Sequence, residues 1–80
     1  MYYVYIIKSK KYPEKRYVGF TEKLKERLQK HNRGESIHTA KNKPWQLVSC
    51  VLFSDKMKAL EFEKYLKSHS GRAFGQKRLW

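Results

Sequence analysis

Tyr2-Tyr3-Val4-Tyr5-Ile6-Ile7 is the stretch on which the fold turns. Tyrosine, valine and isoleucine favour extended backbone, so residues 2–8 are expected as a strand. Alternation places Tyr3, Tyr5 and Ile7 on one face and Tyr2, Val4 and Ile6 on the other. Residues 9–15 are polar and contain Pro13, which reads as a loop. Residues 16–20 form a second short strand ending near Gly19. A short polar loop between two strands implies antiparallel pairing. A glycine late in a short strand marks a bulge or the close approach of another group.

Beyond this hairpin the periodicity changes. Thr21 is expected to cap a helix carrying Leu24 and Leu28, which Gly34 stops. With Leu24 set at zero and 100° per residue, Leu28 falls at about 40°, His31 at about 340° and Arg27 at about 300°. Arg27 and His31 therefore share the leucine side, while Lys25, Glu26, Gln29 and Lys30 lie elsewhere. Residues 35–44 read as an exposed basic loop. Trp45 to Phe53 reads as a buried third strand that includes Cys50. Ser54 or Asp55 caps a second helix to about Lys67, with Ala59, Phe62 and Leu66 as its apolar stripe. Glu63 fills the remaining apolar slot of that stripe. Ser70-Gly71 is expected to break the helix, and Arg72 to Trp80 to form a third, with Ala73, Phe74 and Leu79 turned inward.

The order is β-β-α-β-α-α. It predicts an α+β domain over residues 1–80, a three-stranded, mainly antiparallel sheet flanked by helices. The chain has 80 residues, with 19 Lys and Arg against 7 Asp and Glu, a net charge of +12. Self-repulsion at that charge points to a polyanionic partner. The single cysteine excludes an intrachain disulfide and fits a reducing, cytoplasmic setting. No stretch approaches the roughly 20 apolar residues of a membrane span, and the chain opens directly into a strand pattern with no signal peptide.

Arg27, His31 and Glu63 are costly on inward faces without partners. Arg27 could pair with an internal carboxylate, Glu63 being available, or with a substrate phosphate. His31 could be a structural residue or a base. Both readings stand on pattern alone.

Taken together, these residues resemble the GIY-YIG nuclease domain over essentially the whole chain. Tyr3-Val4-Tyr5 stands at the family's Gly-Ile-Tyr and Tyr17-Val18-Gly19 at its Tyr-Ile-Gly, with eleven residues between Tyr5 and Tyr17. Arg27-Leu28-Gln29-Lys30-His31 is similar to the family helix with Arg followed four residues later by Tyr or His. Ala59-Leu60-Glu61-Phe62-Glu63 is similar to its Ala-x-x-x-Glu helix. Pro44-Trp45-Gln46-Leu47-Val48 is similar to small single-domain members. The chain departs from the pattern at Tyr3, and in its tail, where the family's Asn is missing and Gln76 is the only amide.

The resemblance implies a metal-dependent endonuclease that hydrolyses DNA phosphodiester bonds with little sequence preference, in repair or recombination. Its site would comprise Tyr5, Tyr17, Arg27, His31 and Glu63, with Gly19 as a structural motif residue. Glu63 would hold one divalent ion, Mg²⁺ or Mn²⁺. Either Tyr17 or His31 would activate water. Lys41, Lys43, Arg72, Lys77 and Arg78 are the expected phosphate contacts, with DNA as the partner, no membrane and no small-molecule cofactor; no protein partner is indicated. The alternative is a DNA- or RNA-binding module whose nuclease site is inactive or unused.

Overall fold

A computed structural model describes all of residues 1–80. Strand β1 covers Tyr2–Ser9 and β2 covers Arg16–Thr21. Helix α1 runs over Leu24–Asn32, a single 3₁₀ turn occupies Ala40–Asn42, and β3 covers Trp45–Phe53. Helices α2, Lys56–Leu66, and α3, His69–Arg78, complete the chain. The sheet has the order β2-β1-β3, with both pairs antiparallel. This is the expected architecture, element for element.

The run at residues 2–7 is the central strand, and its position explains its composition. Val4, Tyr5, Ile6 and Ile7 are all fully buried, because neighbouring strands cover both edges and helices cover both faces. On one face Val4, Ile6 and Val18 pack with Ala59 and Leu66 of α2, with Phe20, Phe53, Phe62 and Trp80 around them. On the other, Tyr5, Ile7 and Trp45 pack with Tyr17, Leu24, Leu28 and Cys50. The alternation along β1 therefore sorts its side chains between an α2–α3 layer and an α1 layer.

Several local expectations change. Strand β3 is an edge strand and only half covered; Leu47 and Leu52 are 39% and 52% exposed. Its apolar run is interrupted by a bulge, where Ile6 pairs with Ser49 but Ile7 pairs with Leu47. Thr21 does not cap α1: it ends β2, and its hydroxyl accepts the Lys23 N–H at 3.0 Å, turning the chain before the helix starts. Gly34 does end α1, in the left-handed region at φ +77. Asp55 is the cap of α2, accepting from the N–H groups of Met57 and Lys58. The break after α2 falls at Lys67 and Ser68, not at Ser70-Gly71. Ser68 caps α3 by accepting the Gly71 N–H, and position 71, inside the helix, requires glycine because a side chain there would collide with the Tyr65 carbonyl. Ala73 is exposed, so the buried side of α3 is made by Gly71 and Gly75, with Phe74 lying against Phe62 and Tyr65. The segment 35–44 is only partly exposed: Lys41, Lys43 and Ile37 face solvent, but Thr39 is fully buried.

Candidate active site

The site is built around Tyr5. Across the β1–β2 ladder Tyr5 faces Gly19, and a side chain at Gly19 would overlap the Tyr5 ring and hydroxyl. The glycine thus marks a close approach, as its place in the strand implies. From α1, His31 comes down on the same face. The Tyr5 hydroxyl lies 2.9 Å from His31 Nε2, and His31 Nδ1 lies 2.7 Å from Thr39 Oγ1. Trp45 fixes the Thr39 segment, its indole N–H donating to the Thr39 carbonyl at 2.8 Å. Asn32 in turn accepts the Trp45 backbone N–H at 2.6 Å. His31 is 1% exposed, and no buried side-chain polar atom in the protein lacks a partner.

Protonation follows from this packing. Burial pushes the Tyr5 phenol up to about 12; the nearby Arg27 guanidinium pulls part of that back, and the charges of Tyr17 and Glu63 add to the rise. Burial, and secondarily Arg27, hold the His31 imidazole below its ordinary value. At neutral pH both are uncharged. We assign the ring proton to Nδ1, so that the Tyr5 hydroxyl donates to Nε2 and Nδ1 donates to Thr39.

The other residues surround the β2 edge. Tyr17 meets the His31 ring edge-on, with centroids 5.4 Å apart. Lys67, at the end of α2, places its ammonium 5.8 Å from the centre of the Tyr17 ring and 3.1 Å from Glu63 Oε2. Arg27 is half-buried; its Nη1 donates to the Phe20 carbonyl only at 3.5 Å, and it makes no ion pair. The internal Arg27–Glu63 salt bridge that the pattern allowed is not formed, because Glu63 pairs with Lys67 one turn along its own helix. Tyr5, Tyr17, Arg27, His31 and Glu63, from four different elements, thus lie within one connected set of contacts and charges.

Around Glu63 the donor set is a single carboxylate, and nowhere do three His, Cys, Asp or Glu side chains converge. That composition suits a hard ion such as Mg²⁺, which keeps several waters and takes one or two carboxylates with phosphate oxygens. It does not suit zinc, which needs three or four nitrogen, sulfur or carboxylate ligands from the protein. Cys50 takes no part: it packs under α1, and burial raises its thiol above the ordinary value.

Of the five expected phosphate contacts, Arg72 lines a groove with Tyr17, Lys67 and Gln76. Lys41 and Lys43 lie in the connection between α1 and β3, and Lys77 and Arg78 at the end of α3; all four are exposed and none lines that groove. Sequence reasoning missed Thr39 and Lys67. Nothing in the loop pattern marks Thr39. Lys67 carries a signal, its i,i+4 spacing from Glu63 on a helix.

The sheet order, the paired tyrosines and the inward Arg, His and Glu define one class. The GIY-YIG catalytic domain model matches residues 1–78, and the chain belongs to that family. Among its relatives, a UPF0213 protein of Staphylococcus saprophyticus is 34% identical over 70 residues, covering 86% of this chain and 83% of its own length. The solution structure of a UPF0213 protein of Bacillus halodurans superposes with a TM-score of 0.57 at 32% identity, over 95% of this chain and 81% of the other. A structure-specific endonuclease subunit SLX1 homolog of Drosophila persimilis is 41% identical over 71 residues, 78% of this chain. The chain spans only 17% and 24% of the length of two such Drosophila relatives. No helix is long and apolar enough to cross a membrane.

Proposed function

We propose that this chain is a metal-dependent DNA endonuclease of low sequence preference, acting in repair or recombination. One observation carries the reading. Arg27 is half-buried near Tyr5 and His31 without an acidic partner, in a chain whose only ion pairs are Arg33–Glu35 and Lys67–Glu63. A half-buried guanidinium lacking a carboxylate is set up for an anionic ligand, and the family membership makes a phosphodiester the natural one. The name of the Drosophila relatives, structure-specific endonuclease subunit, favours branched or nicked DNA as substrate.

In this reading Tyr17 orients and activates the attacking water. It is half-exposed at the β2 edge, and the Lys67 ammonium lies over its ring. His31 supports Tyr17 and does not act directly, since both of its nitrogens are engaged and it is closed to solvent. Tyr5 holds His31 in its tautomer and orientation. Arg27 neutralises charge developing on the phosphate. Glu63 would hold a Mg²⁺ or Mn²⁺ ion, together with water and a phosphate oxygen. That ion supplies charge stabilisation at phosphorus and at the leaving 3′ oxygen.

The test is cleavage of supercoiled plasmid and branched DNA with added Mg²⁺ or Mn²⁺. The wild-type chain is expected to nick; Glu63→Ala and Tyr17→Phe are expected to lose cleavage while still binding DNA in EDTA. Full cleavage by Glu63→Ala would overturn the assignment.

A further inference from the structure

The groove beside Tyr17 shares Tyr17 and Lys67 with the arrangement just described and adds residues to which that arrangement gives no role. Its volume is about 800 Å³, and it runs between the start of β2 and the α2–α3 corner. Lys15 and Arg16 stand on one wall and Arg72 on the other, all three exposed, and Tyr17 and Trp80 supply aromatic surface. None of the three cations makes an ion pair, although Glu14 shares the rim. Gathering unpaired positive charge at a recess is unfavourable in a chain already at +12, and a bound polyanion relieves it. Arg27, by contrast, lines a separate polar depression of about 550 Å³. Arg27 and Tyr17 thus line different recesses, and the groove adjoins the candidate site at Tyr17.

The contents of the groove select among nucleic-acid forms. Its volume is on the scale of a pocket for one small ligand, which a nucleotide or two can enter and a duplex cannot. Cations along the walls with aromatic faces between them is the composition that holds single strands, through phosphate contacts and base stacking.

We propose that this groove is the seat of a single-stranded nucleic-acid segment adjoining the reacting phosphate. Lys15, Arg16 and Arg72 take its backbone phosphates, and Trp80 offers a face to its bases. Its role beside the site rests on the nuclease reading, but occupancy of the groove can be measured without cleavage.

The experiment uses the full chain in EDTA, with a fluorescein-labelled oligothymidylate and a blunt duplex of equal length, read by fluorescence anisotropy over a range of salt. The double variant Arg16→Gln/Arg72→Gln is compared with Lys56→Gln/Lys58→Gln, which removes the same charge from exposed positions at the far end of α2. Circular dichroism confirms that both variants are folded. The groove variant is expected to bind the oligonucleotide about tenfold more weakly, with the salt slope reduced by about 1.4, the value for two single-strand phosphate contacts. The control is expected to keep most of its affinity, and the duplex to respond alike to both variants. Equal weakening of the oligonucleotide by the two variants, or a groove-specific loss as large for the duplex, would overturn the proposal. Failure of the nuclease reading would show separately, as absence of cleavage by the wild-type chain with Mg²⁺ or Mn²⁺.

Discussion

Gly19 and Tyr5 face one another across the β1–β2 ladder, and the phenol of Tyr5 fills the space in which any side chain at position 19 would stand. The pair explains how a bulky polar ring enters the centre of a small sheet. Gly19→Ala is expected to destabilise the fold by about 1–3 kcal/mol, the usual cost of overpacking a core. It should also displace the Tyr5 hydroxyl from His31. Urea unfolding and the cleavage assay check both effects. A variant as stable and as active as the wild type would show that the ring has room to move.

Thr39 is expected to matter through one hydrogen bond. Thr39→Val keeps the shape but leaves the His31 Nδ1 proton without an acceptor in a buried site, costing about 1–3 kcal/mol. Thr39→Ser restores the hydroxyl and should recover most of that loss. Equal denaturation midpoints for the two variants would show that the His31–Thr39 hydrogen bond adds nothing to stability.

Lys67 holds the Glu63 carboxylate at 3.1 Å, the place a metal ion would claim. The pair is a partly exposed i,i+4 pair, so Lys67→Met should change stability by no more than about 0.5 kcal/mol. Cleavage should respond in two ways. The Mg²⁺ concentration for half-maximal rate should fall, because the competing ammonium is gone. The maximal rate should also fall, because Tyr17 loses its cation. A metal titration of both proteins measures the two effects, and an unchanged half-saturation point would exclude competition.

His31 predicts the acid limb of stability. Burial lowers its folded pKa, so the unfolded chain binds a proton first as pH falls through its ordinary value of 6.5. The contribution is present above that pH and is lost below it, with a slope of up to about 1.4 kcal/mol per pH unit for one proton. Tyr5 gives the mirror image. Its folded pKa is raised to about 12, so its contribution is present below pH 10.0 and is lost as pH rises from there towards 12. Urea midpoints between pH 7 and 5 should fall less steeply in His31→Gln than in the wild type. Parallel slopes would show that other groups govern acid unfolding.

Much of this arrangement is legible in the sequence where it follows a repeat. The two-residue alternation of β1 assigns Tyr5 and Val4 to opposite layers, and the helical arcs of α1 and α2 turn Arg27, His31 and Glu63 inward. The remainder depends on contacts between distant segments. Nothing local buries Thr39; it is buried because Trp45, at the start of β3, bonds to its carbonyl and His31 needs an acceptor. The choice of Lys67 over Arg27 as partner of Glu63 is settled by helix spacing against the width of a sheet. Gly71 looked like a breaker because glycine usually is one; here the approach of two helices requires it.

The central position of β1 also sets how the site breathes. Amide hydrogens of Val4, Tyr5 and Ile6 lie in a strand paired on both edges and covered on both faces, and such amides exchange with solvent only when the whole molecule opens. Tyr17 lies on the outer strand, and Arg27 and Glu63 on short surface helices, where partial openings are cheaper. The site thus has one immobile pole and several compliant ones. Its geometry is anchored from Tyr5 outward, and fluctuations reach Tyr17, Arg27 and Glu63 first.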